Sequence, residues 1–486
     1  MNTKFLALLS IGAGAVTGCG QAPKSVEASK PNLLIIHTDE HNFRTLSCYQ
    51  NQLPESEGFV WGAGCNVETP NIDRIASEGA ICMSYYCATP VSSPSRAAMI
   101  TGLYPRETDV YTNEIPIRQD VPTFASILRE NGYATSYVGK WHLAGTPEKY
   151  TFDCVYDGGF TDNKYMMNKG HSPYFEIDKD GKVITAISEN AVDKVHEKGH
   201  TTVHMTDYFT DKTLEILERD KDKPFCLMLS IPDPHTPDYA RPPYNTMYDD
   251  MTPAMPETMK DEYASLRPKW AGSTDKNEAT EFEDWRLKQY FGMVKHIDDN
   301  VGKIISYLEK EGVLDNTIVI FTSDHGDMFY EHRRMNKGNP YEASARIPFV
   351  IRYPEKVAKG SVITKAMSNV SLTPTLLGLM DVKSDAVFSG ENDAADFSGN
   401  TVANQHRLVY SVSTGSDWIA AIDDQHKLVL STSNEPWLSD RKVDPMEVKN
   451  FYNDPKYADV VARMQPALLK ELKEHKILAE GKKLKF

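Results

Sequence analysis

The sequence predicts an α/β protein: a large mixed, mostly parallel sheet flanked by helices, followed by a smaller C-terminal α+β unit. Three observations carry this reading. Short apolar runs alternate with stretches of helical period, the pattern of βαβ units. Three of those runs, Asn32 to Thr38 (NLLIIHT), Pro224 to Ile231 (PFCLMLSI) and Thr317 to Ser323 (TIVIFTS), have the length and apolar content of buried strands. From about Leu408 onward, the shorter runs LVYSVS, WIAAID and HKLVLST precede a final helix near Ala458 to His475.

Between these runs, Asn71 to Gly79 and Pro122 to Gly132 read as helices stopped by glycine. Ala134 to Gly139 is a strand leading into Lys140-Trp141-His142, and Asp207 to Arg219 is helical. A long helix then places Phe282, Trp285, Met293, Ile297, Val301, Ile304 and Leu308 at spacings of three, four or their sums, the mark of one apolar face. The three central strands stop at polar clusters containing Asp39, His235 and Asp324. In open α/β sheets ligands bind outside the carboxyl ends of the strands, so these clusters are expected to share one cleft. The stretch Asp381 to Asn400, rich in Asp, Ser and Gly, is the expected boundary, dividing residues 31–395 from residues 396–486.

The chain has 486 residues, and 53 Lys plus Arg against 68 Asp plus Glu leave a net charge of −15. With 40% hydrophobic and 25% charged residues it has material for a sizeable core, which excludes disorder, collagen and coiled coil as the main architecture. Its acidic balance argues against a nucleic-acid partner, since such binding neutralises phosphates with Lys and Arg. Lys4 followed by the apolar run Phe5 to Thr17 reads as a secretory signal too short to span a bilayer. Val16-Thr17-Gly18-Cys19 resembles a bacterial lipobox, which implies an exported lipoprotein, periplasmic or at the cell surface, anchored to the membrane by lipid on Cys19. Residues 1–18 are then the signal peptide and 19–30 a solvated tether. The other six cysteines contain no CxxC pair, so a zinc ribbon is unsupported and any disulfide pairing stays open.

The most informative segment is Pro90 to Pro105, PVSSPSRAAMITGLYP. It resembles the sulfatase signature, in which Cys or Ser is followed by any residue, Pro, a small residue and Arg, then four residues and Thr-Gly. Ser92-Ser93-Pro94-Ser95-Arg96 and Thr101-Gly102 fit every fixed position, with Ser92 in the nucleophile place. As local structure the same stretch reads as a helix start, with Ser93 as N-cap and Pro94 in the first turn. Both readings hold together, because a helix N-terminus favours anions. Further motifs follow in the family's order: the opening strand ending at Asp39-Glu40, Pro70-Asn71-Ile72-Asp73, Gly139-Lys140-Trp141-His142-Leu143, Pro234-His235-Thr236-Pro237, Ser323-Asp324-His325-Gly326-Asp327, Glu331-His332 and Asn336-Lys337-Gly338. The resemblance implies the fold of the alkaline phosphatase superfamily; the C-terminal region resembles the family only weakly.

A sulfate ester spreads negative charge over its oxygens, so hydrolysis requires an in-line nucleophile, cations on the oxygens and an acid for the leaving alcohol. The resemblance implies each part. Ser92 becomes formylglycine, whose hydrated aldehyde offers one hydroxyl to attack sulfur, giving a sulfoenzyme intermediate, and a second whose deprotonation expels sulfate. Unmodified serine would stall as a stable sulfate ester. Asp39, Glu40, Asp324 and His325, with modified Ser92, form the metal site, and mostly hard oxygen ligands favour Ca2+, with Mg2+ as runner-up. Glu40 stands where the family most often has Asp, and His325 where Asn is common. Arg96 holds formylglycine and the carboxylates, Lys140 and Lys337 bind sulfate oxygens, His142 is the base for eliminating sulfate, and His235 protonates the leaving oxygen. A serine at this position implies an anaerobic radical sulfatase-maturating enzyme as partner, acting before the chain folds.

Other residues carry less. His332, Arg333 and Arg334 read best as a solvated loop, His41 and Trp141 as packing residues, and Lys482-Lys483-Leu484-Lys485 as an exposed basic tail. Exported lipoproteins meet polymers outside the cell, which favours a sulfated carbohydrate in a glycan as substrate. Two other functions fit parts of the pattern: a phosphomonoester or phosphodiester hydrolase using unmodified Ser92, and a surface glycan-binding lipoprotein without catalysis.

Overall fold

A computed structural model describes residues 30–145, 152, 157–271, 277–399, 407–475 and 477–485; the signal peptide, Cys19 and nearly all of the tether lie outside them. In chain order the main sheet comprises β1 (Asn32–Thr38), β2 (Ala80–Cys82), β3 (Ala134–Lys140), β4 (Asp162–Met167), β5 (Phe225–Ile231), β6 (Thr317–Ser323), β7 (Phe349–Arg352) and β8 (Ser361–Ile363). Their order in space is β8-β2-β7-β6-β1-β5-β3-β4. Only β7 runs against the rest.

The three apolar runs are the sheet's central strands, and every residue of β1, β5 and β6 is buried. Alternate side chains serve opposite cores, as the two-residue period of a strand requires. Leu34, Ile36, Leu227, Leu229, Val319 and Phe321 meet one layer of helices, α1 (Pro70–Glu78), α4 (Met205–Asp220) and α5 (Asp284–Lys310). Leu33, Ile35, Cys226, Met228, Ile318 and Ile320 meet the other, α2 (Ser92–Thr101), α3 (Phe124–Glu130) and α6 (Leu372–Leu379). Trp285 departs from the expected apolar face of α5 and is 53% exposed. Its spacing of eight from Met293 turns it about 80° away, since each helical residue advances about 100°. Phe282 precedes α5 and is only partly buried, edge-on to Tyr330. Cys48, Cys65, Cys82, Cys87 and Cys226 are free thiols.

The C-terminal unit is an antiparallel sheet of β9 (Val409–Val412), β10 (Trp418–Ile422), β11 (His426–Ser431) and β12 (Trp437–Asp440). Its last strand is an addition to the three expected. One face packs Ile419, Ala421, Leu428 and Leu430 against Met464 and Leu468 of α7 (Ala458–Glu474). The other sets Trp418, Ala420, Ile422 and Val429 on Tyr86, Ala345 and Ala366 of the main unit. The expected division after residue 395 falls inside a short 3-10 helix, Ala394–Ser398, whose Phe397 packs on Phe349 of β7. The basic tail is exposed, yet Lys485 N donates to Ser431 O of β11 at 2.8 Å.

One glycine on β3 is dictated by close approach. Gly139 has φ 98°, and a Cβ there would lie 1.9 Å from Ser230 O of β5. Gly139→Ala combines a left-handed backbone with a clash against a neighbouring strand, so it should destabilise the fold by about 2–5 kcal/mol. Urea unfolding measures this directly; an unchanged midpoint would contradict the packing described.

Candidate active site

Parallel strands present their carboxyl ends along one edge. The adjacent strands β6, β1, β5 and β3 therefore bring Asp324-His325, Asp39-Glu40, Pro232 to His235 and Lys140 to His142 together. Two of these turns take left-handed backbone at non-glycine residues, Glu40 at φ 60° and His142 at φ 58°. Such conformations cost about 1–3 kcal/mol each and persist only where surrounding structure enforces them.

Helix α2 enters over this edge, and every one of its residues is buried. It begins at Ser92 behind an extended Val91 that makes no side-chain cap, so Ser93 is not the N-cap. The Ser93 hydroxyl instead donates to His142 O at 2.7 Å, and its N–H to Asn113 Oδ1 at 3.0 Å. Pro94 is harmless in the first turn, where backbone N–H groups have no helical partner. Gly102 ends the helix at φ 73°, its N–H on Ala98 O.

Arg96 ties α2 to all four strands. Its Nε donates to Asp324 Oδ2 at 2.9 Å and its Nη2 to Asp39 Oδ2 at 3.1 Å. Nη1 donates to Lys140 O and Ser230 Oγ, each at 2.8 Å. Burial works against the Arg96 charge, but Asp324 and Asp39 raise its pKa further above the usual guanidinium value.

Each carboxylate divides its oxygens. Asp39 Oδ2 takes Arg96 and Lys140, while its Oδ1 is buried without a partner. Glu40 Oε2 takes Lys337 at 2.7 Å and lies 2.9 Å from His235 Nε2, while its Oε1 is likewise buried and unpaired. Burial alone would raise the pKa of Glu40, but His235 and Lys337 outweigh it and hold it at about 2. Asp39 overcomes the same penalty through Lys140 and Arg96 and stays well below the carboxylate range. Unpaired buried carboxylate oxygens are costly, and these two are donors suited to a cation. Asp324 and His325 complete the donor set, their ligand atoms lying with one from Asp39 inside 4.8 Å. His325 Nδ1 is 3.0 Å from Gly326 O and so carries the proton, which leaves Nε2 as a lone pair 3.0 Å from Ser92 Oγ. Hard oxygens around a buried lone-pair nitrogen fit a divalent metal. Asp39, Glu40 and Asp324 otherwise only balance Arg96, Lys140 and Lys337, so a divalent ion would make the site attractive to an anionic ester.

Lys140 is fully buried, and burial draws its ammonium down to about 8 despite Asp39. His142 lines a cleft of about 400 Å³ with Asn113, Glu114, Lys169, His171 and Pro237. Burial, with Lys140 and Arg96 beside it, keeps the His142 imidazole neutral. His235 Nε2 is 2.9 Å from Lys337 Nζ, so the expected acid and lysine are neighbours. His171 is the residue that sequence reasoning missed: its ring stacks on His235 at 3.6 Å, and its Nε2 is 3.1 Å from Lys140 Nζ. It belongs to no motif, and only the folded chain brings it here.

Outside the site, His332 and Arg334 are buried rather than solvated. His332 stacks on Tyr341 at 3.7 Å, and burial lowers its pKa to about 3. His41 and Trp141 are packing residues, His41 edge-on to Phe321 and Trp141 against Tyr137. A second cluster, His204, Asp207 and His296, has the spacing of metal ligands. There the Arg241 guanidinium already occupies the place of a cation, with Nε 2.5 Å from Asp207 and 3.2 Å from His296.

Residues 31–382 match the sulfatase family, and residues 330–475 match a family described as N-sulphoglucosamine sulphohydrolase, C-terminal. The C-terminal region, whose motifs resemble the family only weakly, is thus matched as well. An N-acetylglucosamine-6-O-sulfatase of Bacteroides thetaiotaomicron is 27% identical, over 96% of this chain and 91% of its own. A solved structure described as in complex with its substrate D-glucosamine-2-N,6-O-disulfate has a TM-score of 0.71 at 24% identity, covering 92% of this chain and 98% of that one. The phosphonate monoester hydrolase of Agrobacterium radiobacter has a TM-score of 0.70 at 20% identity, covering 92% and 96%. These two structures share the fold.

Removing Arg96 leaves the carboxylates of Asp39 and Asp324 buried without their shared partner. Arg96→Met should cost about 3–5 kcal/mol in chelator-treated protein, and added divalent cation should recover part of that by binding only the folded state. Denaturant unfolding with and without cation reads both effects; equal stability to the parent would refute the assigned network.

Proposed function

The chain belongs to the sulfatase family and is a sulfuric ester hydrolase, and from that premise we propose that it removes sulfate from sugars of sulfated glycans at a site built on Ser92. The observation that carries the reading is the meeting of Ser92, at the start of a buried helix, with two unpaired carboxylate oxygens and three cations at the strand ends. The sulfatase named for N-acetylglucosamine 6-O-sulfate and the structure holding a disulfated glucosamine support sugar esters as the substrate class.

Oxidised to formylglycine by an anaerobic radical maturase, position 92 would supply a hydrated aldehyde with one hydroxyl for sulfur and another for release of sulfate. Asp39, Glu40, Asp324, His325 and residue 92 would hold Ca2+, with Mg2+ second, whose charge draws the ester oxygens. The chain's own residues divide the remaining work. Arg96 fixes α2 to the carboxylates and so sets where residue 92 stands. Lys140 and Lys337 present ammonium groups toward the sulfate oxygens. The neutral ring of His142 lies on the cleft wall as the base, and its carbonyl anchors Ser93 beside the nucleophile. His235, with Lys337 against its Nε2, gives the leaving alcohol its proton. Export as a lipoprotein anchored at Cys19, to the periplasm or cell surface, rests on the apolar N-terminal run and the lipobox-like ending.

One observation favours a second reading. The unmodified Ser92 hydroxyl already donates to His325 Nε2 at 3.0 Å, the arrangement of a serine that attacks phosphorus directly. The two readings separate cleanly. Protein co-expressed with a radical maturase should yield a Ser92 peptide lighter by two hydrogens and release sulfate from sulfated oligosaccharides. Chelation should abolish that activity and Ca2+ restore it. Sulfate release from wholly unmodified protein, or turnover of phosphate esters alone, would favour the direct serine.

The acid role of His235 has its own signature. His235→Ala should slow release from sulfated sugars by about 10²–10⁴, and should slow nitrophenyl sulfate far less, because a phenolate leaves without a proton. Equal losses on the two substrates would assign His235 to sulfate binding instead.

A further inference from the structure

The loop that delivers Lys337 is held from outside the catalytic strands. Lys427 of β11 is 1% exposed and donates Nζ to Pro340 O at 2.6 Å. The same ammonium donates to Glu447 Oε1 at 2.8 Å and forms an ion pair with Glu342 Oε1 at 2.6 Å. Glu447 Oε2 in turn accepts the backbone N–H of Glu342 at 2.8 Å. Trp418 of β10 donates its Nε1–H to Gly338 O at 3.3 Å. Residues 338, 340 and 342 are therefore each bonded to the C-terminal unit, immediately after Lys337. The same sheet reaches the nucleophile's side, where Val412 N of β9 donates to Ala88 O at 2.9 Å.

An apolar trio could fill this space, and burying an ammonium between two carboxylates is not a cheap way to stabilise a fold. What the charges add is direction. A lysine bonded to Glu447 and paired with Glu342 sets the position of the Pro340 carbonyl it also donates to. Three residues upstream, the Lys337 ammonium must reach Glu40 Oε2 at 2.7 Å and His235 Nε2 at 2.9 Å at once.

We propose that the C-terminal sheet, through Lys427 and Trp418, positions the Lys337 loop, making these two positioning residues for sulfate ester hydrolysis. The inference rests on the reading of Lys337 as the lysine that serves the sulfate oxygens and the leaving-group proton. A double-mutant cycle in full-length, maturase-treated protein tests it. Lys427→Met should lower kcat on a sulfated sugar by about 10-fold to 100-fold. Nitrophenyl sulfate should suffer less, since its leaving group needs no proton. In a Lys337→Ala background the same substitution should cost less than about twofold, because the group it positions is gone. Lys427→Arg, which keeps the charge and donors, should recover part of the loss. Losses that multiply with Lys337→Ala and fall equally on both substrates would overturn the proposal. If Lys427→Met does not fold, as circular dichroism would show, Trp418→Phe carries the same cycle while keeping a ring in the core; coupling to Lys337→Ala supports the role and independence refutes it. Parent protein that releases no sulfate would overturn the functional reading and this role with it, whereas parent turnover with uncoupled losses overturns the positioning role alone.

Discussion

The structure depends on one buried guanidinium. Arg96 reaches from helix α2 to Asp39 on β1, Asp324 after β6, the Lys140 carbonyl on β3 and Ser230 on β5. Four adjacent strands thus share one partner at the edge where their polar ends gather. A planar group with donors in fixed directions can hold such a set in register, which a lysine's single ammonium cannot. Because Arg96 stands one helical turn beyond Ser92, the contact that aligns the strand ends also places the nucleophile position above them.

From that constraint the electrostatics follow. Asp39 Oδ2 and Glu40 Oε2 bind protein cations, and Asp39 Oδ1 and Glu40 Oε1, buried and unpaired, are donors suited to a metal. The cost of this arrangement is spread over the fold: left-handed turns at Glu40 and His142, a glycine pressed against Ser230, and a lysine held in full burial. The C-terminal sheet adds its own constraint, bonding Gly338 and Pro340 beside Lys337 and Ala88 ahead of Ser92.

Much of this was legible in the chain. The bounds of β1 and β6 read from the sequence coincide with those observed, because strands buried on both faces are continuous apolar runs with abrupt polar ends. The adjacency of Asp39, His235 and Asp324 followed from a rule of parallel sheets rather than from any one residue. What the sequence hides is contact made at a distance. Ser93 looks like an N-cap, but partners from Asn113 and His142 take its polar groups. His171 carries no motif and acquires its place by stacking on a ring 64 positions away in sequence, at His235. Arg334 and His332 sit in a charged run that usually means solvent, yet both are buried, His332 against Tyr341 and Arg334 in a β-bridge with Glu278.

The near-complete burial of Ser92, 1% exposed and bonded to a residue 233 positions downstream, imposes a clock on its chemistry. The segment leaves the ribosome long before β6 exists to cover it. At about 5–20 residues per second, some 10–50 s of synthesis separate the appearance of Ser92 from that of His325. Until His325 is made, its contact with Ser92 cannot form; in the folded protein the serine is sealed beneath helix, sheet and loop. An enzyme that modified this hydroxyl would have to reach it before helix, sheet and loop close over it.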